Sequence, residues 1–139
     1  MGPPSDADGW TKNVTCAATL ETATDGERVC EHRDPYVLHM VAFRKVVAGT
    51  DVNHWWDDGG NAIAFARGDK GFVAISREDT AVTATVATGL PAGTYCDVLG
   101  GGLAGSACAG AAVVVDSAGT VQLHLEANAA LAINVATRR

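Results

Sequence analysis

A succession of short apolar segments separated by glycine-rich breaks constrains this chain most. Ala62–Ala66 and Phe72–Ile75 flank Arg67–Gly71, in which glycines surround a polar pair. Glycine accepts the backbone angles of a tight reversal, so this stretch predicts a β-hairpin. A second break, Gly89–Gly93, precedes the strand-like Thr94–Val98. Segments of this kind, repeated at short intervals, predict a mainly β fold.

The segments farther along the chain alternate apolar and polar residues with the period of a β-strand. Val82–Val86 alternates with threonines, and Val121–Leu125 places every second residue on one apolar side. A turn at Asp116–Gly119 separates Val113–Val115 from the latter segment. The residues predicted to share one interior are Ile63, Phe65, Val73, Ile75, Val82, Ala84, Val86, Val121, Leu123, Leu125, Leu131, Ile133 and Val135. About seven or eight such strands predict an antiparallel sandwich or barrel with Greek-key connections.

One segment has helical rather than strand-like character. Asp34 and Pro35 form its start, because Asp accepts hydrogen bonds from the first-turn amides and Pro suits the first helical position. Gly49 marks its predicted end. One broad apolar face is predicted to contain Val37, Leu38, Met40, Val41, Val46 and Val47. A face this wide implies a packing partner, and left uncovered it would drive self-association.

Two adjacent tryptophans, Trp55 and Trp56, follow the helix. Neighbouring side chains of an extended segment point to opposite sides, so one ring enters the core while the other meets solvent or a neighbour. Two interpretations stay open: packing of both rings at a domain junction, or stacking of an exposed ring on a sugar. Asp57 and Asp58 come next, but adjacent residues diverge too much to flank one glycosidic bond. We interpret them as loop and turn residues.

Four cysteines, Cys16, Cys30, Cys96 and Cys108, allow three disulfide pairings. The simplest pairing is local, Cys16 with Cys30 and Cys96 with Cys108, because each bond then closes a short polar loop. An even count in a glycine-rich β chain is typical of an oxidising, extracellular compartment. Buried free thiols are one alternative. A zinc site using Cys16, Cys30 and His32 is another, although it lacks a fourth ligand and a close cysteine pair.

Length and charge exclude several classes of protein. The chain has 139 residues, enough for one domain but too few for a (β/α)₈ barrel, which takes about 250. Its net charge of −6 comes without a basic stripe, so we expect no nucleic-acid partner. No segment reaches the ~20 apolar residues of a membrane helix, and the start lacks the features of a signal peptide. We therefore expect a mature piece or fragment of a secreted protein, with no membrane association.

The remaining candidate sites have ordinary structural explanations. His39 falls within the predicted helix, and His124 points outward from a strand. The cluster Gly100–Gly102 opens a loop and has no following helix whose dipole would bind phosphate. Asn13–Thr15 matches the glycosylation acceptor pattern, in a stretch up to Gly26 that we interpret as a loop. The residues alone thus indicate a secreted-type β domain without the layout of a catalytic centre.

Several pieces of the chain, in order and spacing, carry a family resemblance. They are Val29–Arg33, Met40–Arg44, Trp55–Asp57, Ala64–Gly68 with Lys70–Phe72, and Thr88–Val98. Together they resemble the C-terminal end of secreted alpha-amylases of the animal and actinomycete type, in glycoside hydrolase family 13. Thr88–Val98 is the most specific piece, and the resemblance covers roughly residues 13–137.

The resemblance implies a division of the chain. Residues 1–49 would be a disulfide-tied loop and the last helix of a (β/α)₈ catalytic barrel, and residues 50–139 would be domain C, an eight-stranded Greek-key β-sandwich. It also supports the two local disulfides and implies that the helix face is made for the barrel wall. The catalytic carboxylates, the calcium ligands and the chloride-binding residues of the family lie upstream of the matching region. None of them carries over to a position here.

Three hypotheses remain. In the first, the chain is the structural C-terminal part of an alpha-amylase, whose parent cleaves internal α-1,4-glucosidic bonds of starch with retention. In the second, it is a free-standing β-sandwich that binds starch through Trp55 or Trp56. In the third, it is a small enzyme that uses Asp57, Asp58 or His124.

Overall fold

The computed structural model of this protein describes residues 5–13, 15–17, 27, 28 and 30–139. The chain divides into two units, Met1–Leu38 and His39–Arg139. Most of the regular structure belongs to the second unit, which we describe after the first.

The first unit contains two very short strands. Strand β1 (Thr15–Cys16) pairs in parallel with β2 (Glu27–Arg28). A single 3₁₀ turn, Glu31–Arg33, precedes the helix. Most of the predicted loop between residues 13 and 26 lies outside the described residues. The same holds for Val14 in the glycosylation pattern.

Helix α1 spans Pro35–Val46 and begins where the sequence predicts. The carboxylate of Asp34 accepts hydrogen bonds from the backbone amides of Tyr36 at 2.8 Å and Val37 at 3.4 Å. It thereby satisfies amides that a first helical turn leaves without partners. The chain leaves the helix through Gly49, whose φ of +77° suits glycine. The predicted start of the helix is confirmed, whereas the helix ends at Val46 and the chain passes through a turn before the predicted stop at Gly49.

Eight strands of the second unit form two antiparallel four-stranded sheets. In chain order the strands are β3 (Val52–Asp57), β4 (Ala62–Arg67), β5 (Gly71–Ser76), β6 (Val82–Ala87), β7 (Gly93–Cys96), the short β8 (Leu103–Ala104) and β9 (Ala107–Cys108), β10 (Ala112–Val115), β11 (Thr120–Leu125) and β12 (Ala130–Asn134). The first sheet has the order β12-β5-β4-β3 and the second β6-β11-β10-β7. Strands β8 and β9 form a separate hairpin. The chain changes sheet between β5 and β6 and returns between β11 and β12, which confirms the predicted antiparallel sandwich.

Both predicted hairpin turns are present. Strands β4 and β5 pair across the first turn with Arg67 opposite Gly71, and Gly68 within it has a φ of +55°. Strands β10 and β11 pair across the second turn with Val115 opposite Val121. The glycines adopt backbone angles that other residues adopt only with strain, and for this reason the turns can be predicted from the sequence.

The interior between the two sheets is the sandwich core. Its buried members are Ala64, Phe72, Ala74, Val86, Leu90, Tyr95, Val115, Val121, Leu123, Leu125 and Ile133. The hydroxyl of Tyr95 donates to the Pro91 carbonyl at 2.7 Å, so the one polar end in this layer has a partner. The alternation predicted for β6 and β11 is confirmed, because their apolar residues line this core and the intervening polar ones are exposed.

A second apolar layer, the outer cluster, covers the opposite face of the first sheet. It contains Phe43, Val47, Val73, Val98 and Ala132, with Met40, Phe65 and Leu99 packed against it. Helix α1 supplies Phe43 to this layer, and Val47 follows directly after the helix. The first sheet is therefore covered on both faces, by the second sheet and by α1.

The facing predicted for β4 and β5 is wrong. Phe65 and Val73 belong to the outer cluster, and Ile75 is 39% exposed. Ile63, directly opposite Ile75 in the pairing of these strands, lies on the same outer side. Phe72, Ala74 and the alanines of β4 face the sandwich core instead. Because this sheet is apolar on both faces, a period of two cannot indicate which set points inward.

The end of the last strand also differs from the prediction. Val135 does not continue β12 into the interior but begins a 3₁₀ turn, Val135–Thr137, and is 40% exposed. The side chain of Asn134 accepts a hydrogen bond from the amide of Ala136 at 2.9 Å, which caps this turn. Such a local cap ends the strand, although the apolar alternation alone would extend it.

Candidate functional site

Strand β3 sends its two tryptophans to opposite sides, as predicted. Trp56 lies opposite Ala64 and packs against the sandwich core. Trp55 is 56% exposed. The register of β3 against β4 shifts between Asn53 and Trp56, and His54 within the shift has a φ of +50°. This irregularity includes Trp55, and regular pairing resumes at Trp56.

The exposed ring of Trp55 is held in a fixed orientation. It stacks on Phe65, with 5.8 Å between ring centroids and an angle of 11° between the ring planes. Its indole nitrogen donates to Oδ2 of Asp57 at 3.1 Å. One side of the indole is thus supported by the outer cluster through Phe65, while the residue remains open to a ligand or partner.

Helix α1 is anchored by one side and exposed on another. Phe43 and Val47, four residues apart, are 4% and 0% exposed. Gly71 explains the close approach of the helix to the sheet, because a Cβ there would lie 2.5 Å from Val47 Cγ1 and 2.9 Å from Phe43 Cζ. Val41 is 51% exposed. The single broad face predicted for this helix is therefore wrong: Met40, Val46 and Val47 are covered or half-covered, and Val37, Leu38 and Val41 are exposed.

The sequence pattern does not reveal two of the anchoring residues. The predicted apolar face omits Phe43, although its spacing of four from Val47 is the available signal. The turn prediction explains only one role of Gly71, since its lack of a side chain also makes room for the helix.

Exposed apolar residues occur on α1 and on strands β3 and β5, and we call this set, Val41, Val52, Trp55 and Ile75, the docking face. The three sheet residues belong to β3 and β5, and Ile75 shares the outer face with Phe65 and Val73. Exposed apolar groups beside a buried layer are typical of a surface that another protein part or a ligand covers.

A cavity of about 220 Å³ adjoins the outer cluster. Its walls include His39 and Val46 from the helix, Leu103 from β8, and Ala136 near the end of the chain. The Nδ1 atom of His39 is buried without a hydrogen-bond partner among the described residues. The walls are mostly apolar, so the cavity lacks the convergent polar groups that orient a substrate.

The acidic residues and histidine of the enzyme hypothesis do not converge. Asp58 accepts hydrogen bonds from the amides of Gly60 and Ala62, which hold its pKa below the usual 3.8, so it serves the β3–β4 turn. The carboxylate of Asp57 accepts hydrogen bonds from the backbone amide of Gly59 and from the indole nitrogen of Trp55. His124 lies on β11 of the other sheet, 3.0 Å from Glu126. Carboxylates in turns of one sheet and an exposed His on the other form no common catalytic centre.

All four cysteines are joined in the two pairs expected. Cys16 bonds Cys30, with 5.4 Å between Cα atoms, and Cys96 bonds Cys108, with 5.1 Å. The alternatives of free thiols and of a zinc site at Cys16 and Cys30 are therefore wrong, because disulfide sulfurs do not bind zinc as thiolates. In the part of the chain that the structure describes, no three His, Cys, Asp or Glu side chains are grouped for a metal ion. No described helix has the length and apolarity that a membrane crossing requires.

Comparison with known proteins agrees with this architecture. The family of alpha-amylase C-terminal all-beta domains matches residues 54–136. The chain is 44% identical over 128 residues to pancreatic alpha-amylase of Struthio camelus, covering 92% of this chain and 25% of that protein. It is 43% identical over 125 residues to alpha-amylase of Oryzias latipes, covering 90% of this chain and 24% of that protein.

Solved structures give the same result. The chain superposes on wild-type alpha-amylase I from Eisenia fetida with a TM-score of 0.76 and 42% identity, covering 97% of this chain and 27% of that one. A mutant of the same enzyme in complex with maltohexaose gives a TM-score of 0.79 at 40% identity, covering 96% of this chain. The chain thus spans about a quarter of the length of the proteins it matches.

Proposed function

Because this chain belongs to the family of alpha-amylase C-terminal all-beta domains, we propose that it is the non-catalytic rear part of a starch-degrading glycoside hydrolase. The parent enzyme cleaves internal α-1,4-glucosidic bonds of starch. The role of this chain is structural: it covers a catalytic (β/α)₈ barrel and stabilises it. The observation that carries the proposal is the docking face, where apolar residues lie open beside an otherwise buried layer.

The proposal assigns different origins to the two ends of the chain. Residues 1–49 represent a disulfide-tied loop and the last helix of the barrel, and residues 50–139 are the sandwich domain. The part of helix α1 in the second unit supports this division, because it packs on the sheet through Phe43 and leaves Val41 exposed. A helix in a barrel wall needs apolar residues toward its neighbouring helices and strands as well as toward the covering domain.

We propose no catalytic role for this chain, because its adjacent carboxylates do not suit glycosidic hydrolysis. Retaining hydrolysis of a glycosidic bond needs two carboxyl groups about 5 to 5.5 Å apart on either side of the bond. Asp57 and Asp58 are committed to the β3–β4 turn through backbone amides and Trp55. We therefore expect the purified chain to release no reducing sugar from starch.

A chimera tests the structural role directly. This chain replaces the matching C-terminal quarter of alpha-amylase I from Eisenia fetida, and starch hydrolysis and thermal inactivation are measured. The chimera should hydrolyse starch, whereas the same enzyme without any C-terminal part should be insoluble or inactivate far faster. Trp55→Lys and Val41→Lys should each shorten the half-life of activity at elevated temperature several-fold, because a charge would be buried against the barrel.

Val114→Lys is the matched control for these variants. Val114 is 64% exposed on the outward side of the second sheet, so the same charge is added away from the docking face. It should leave the half-life of the chimera unchanged. An inactive chimera, or equal sensitivity to lysine at residues 55 and 114, would contradict the proposed role.

Starch binding by this chain itself is a second candidate function, favoured by the open, rigidly supported ring of Trp55. An indole fixed in this way can stack on a pyranose. Trp55 is better placed for this than Trp56, which packs against the sandwich core. Co-sedimentation of the purified chain with insoluble starch is the test: Trp55→Ala should abolish it and Trp55→Phe should keep part of it. A chain that stays in the supernatant removes this candidate without affecting the structural role.

We also infer that the protein works outside the cell. Both disulfides among the described residues close short segments of a small β fold, and such bonds persist in oxidising compartments. The pancreatic alpha-amylases among its relatives agree with this inference. Secretion of the parent into the medium of an expressing culture would be the direct measurement.

A further inference from the structure

Three of the four outer strands of the two sheets are protected against pairing with another chain. At the edge of the first sheet, β12 is capped, because the amide of Val98 donates to the Ala132 carbonyl at 2.7 Å and the Ala132 amide donates to Asp97 at 3.1 Å. At the opposite edge, β3 is broken by its register shift. In the second sheet, β7 is covered by the chain end, where the Arg139 amide donates to the Thr94 carbonyl at 2.8 Å. Such devices are the usual protection of exposed strand edges.

The fourth outer strand, β6, has no such device among the described residues. It pairs with β11 over its whole length and with no other described strand. The segment Ala81–Thr88 contains only Ala, Val and Thr, without charge, glycine or proline. High β-propensity and lack of charge on an open edge are the features that promote strand addition.

Alternation along β6 shows which backbone groups are open. The amide of Thr88 donates to the Gly119 carbonyl at 2.9 Å, so backbone groups of even-numbered residues face β11. Those of Ala81, Thr83, Thr85 and Ala87 face away from the sheet. None of these four makes a backbone hydrogen bond to a described residue.

The sequence of this edge is symmetrical. Thr80–Thr88 reads the same in both directions, with Ala84 at its centre. We propose that β6 pairs antiparallel with β6 of a second copy of this chain about a two-fold axis at Ala84. In that register Thr83 faces Thr85 of the other copy, and Val82 faces Val86. The open backbone groups of both copies then meet each other, forming about eight hydrogen bonds, two for each of four facing pairs.

The side chains favour this partner over an unrelated strand. Val82, Ala84 and Val86 face the sandwich side, and the two-fold register places valine beside valine in a continuous apolar row. Thr83 and Thr85 are exposed on the other side, where threonine pairs across strands are favourable. Each copy has one open edge among its described strands, so the assembly should close as a dimer and not grow further.

Hydrogen exchange at low and high protein concentration tests the pairing at single residues. In the dilute monomer, the amides of Thr83, Thr85 and Ala87 should exchange at least about tenfold faster than those of Val82, Ala84 and Val86, which bond β11. At the higher concentration, where sedimentation velocity shows a dimer, protection of the first set should rise about tenfold while the second set stays unchanged. Protection that does not change with concentration would overturn the proposal, as would a monomer at the highest soluble concentration.

Edge variants separate this dimer from association through the docking face. Thr83→Pro removes one outward-facing amide without touching the β11 ladder, and Thr83→Lys adds an edge charge if proline impairs folding. Either variant should be monomeric at concentrations where the parent chain is dimeric. Val114→Lys, on the same sheet surface but on the interior strand β10, should remain dimeric. If Val41→Lys or Trp55→Lys dissolves the dimer and Thr83→Pro does not, the docking face is the interface and the proposal is wrong.

Discussion

The sandwich core and the outer cluster lie on opposite faces of one sheet and differ in how they are closed. No buried member of the sandwich core is more than 3% exposed, because the second sheet covers it completely. The outer cluster is covered by a single helix and is continuous with exposed residues such as Ile75 at 39% and Trp55 at 56%. One layer is closed by strands of its own chain, whereas the other remains open along one side.

The two layers should therefore contribute differently to stability: the sandwich core stabilises the isolated chain, and the outer cluster is further stabilised when a partner covers it. A layer closed on both sides contributes its full burial to the stability of the isolated chain. A layer open at its margin contributes less alone and gains burial when something covers it. Substitutions in the two layers should therefore differ in their effect on the stability of the isolated chain.

Adjacent residues of β5 provide the strongest contrast. Phe72 faces the sandwich core and Val73 the outer cluster. Phe72→Ala should lower the free energy of unfolding by about 3 to 5 kcal/mol, since it leaves a cavity in a closed layer. Val73→Ala should lower it by only about 1 to 2 kcal/mol, for two methylene equivalents at a partly open site. Urea unfolding followed by tryptophan fluorescence measures both, and an equal loss per buried methylene equivalent removed would show that the layers do not differ.

Removal of the second disulfide comes next. Cys96→Ala combined with Cys108→Ala opens a loop of 12 residues beside the sandwich core. The loss should be about 3 kcal/mol, chiefly because the unfolded chain gains freedom. The wild-type chain with both disulfides intact is the reference in the same urea series. A change below about 1 kcal/mol would mean that the β8–β9 hairpin holds its shape without the bond.

Gly71→Ala examines how tightly the helix closes the outer cluster. The new methyl group would meet Val47 and Phe43, so α1 must shift, at an expected cost of about 1 to 3 kcal/mol. Val47→Ala in the same chain should recover part of that cost, because it removes the side chain that the methyl group meets. A double-mutant cycle measures the coupling. Strict additivity would show that the helix does not press on the sheet at this point.

Each sheet has one turn aspartate whose contribution to the stability of the fold should be lost in acid. Hydrogen bonds from Thr120 hold the pKa of Asp116 below 3.8 in the second sheet, and amides of Gly60 and Ala62 do the same for Asp58 in the first. A lowered folded-state pKa stabilises the fold above the ordinary value, and this contribution is lost as pH falls through the lower one. Asp116→Asn and Asp58→Asn should each slightly reduce stability at neutral pH and flatten its decline below about pH 4. Unchanged pH profiles in both variants would contradict these assignments.

The smallest effect on the isolated chain is expected at the docking face. Val41→Lys should change the free energy of unfolding by less than about 0.5 kcal/mol, since the side chain is already half exposed. The same substitution should matter in the chimera if, as we propose, the barrel covers this position. A large loss in the isolated chain would show that residue 41 belongs to the fold and not to an open interface.

Local signals explain the parts of the structure that were predictable. The cap at Asp34, the turn at Gly49 and the hairpin at Arg67–Gly71 each depend on residues within a few positions. The opposite directions of Trp55 and Trp56 follow from the geometry of any extended segment. The stacking of Trp55 on Phe65 could not be predicted, because it depends on the register of β3 against β4, which the sequence pattern does not specify.

The class of fold, the two hairpin turns, the start of the helix and the family of the chain can all be derived from the amino-acid sequence. Periodicity, turn residues and helix caps depend on residues that are close in the sequence, so they can be predicted without knowledge of the tertiary structure. Which side of β4 and β5 faces the interior, which side of the helix packs on the sheet and which strand edge stays open follow only from the packing of the folded chain. These outcomes depend on which element covers each face of the sheet. When both faces are apolar, the residue pattern fits either orientation, and only packing against the helix and the second sheet distinguishes them.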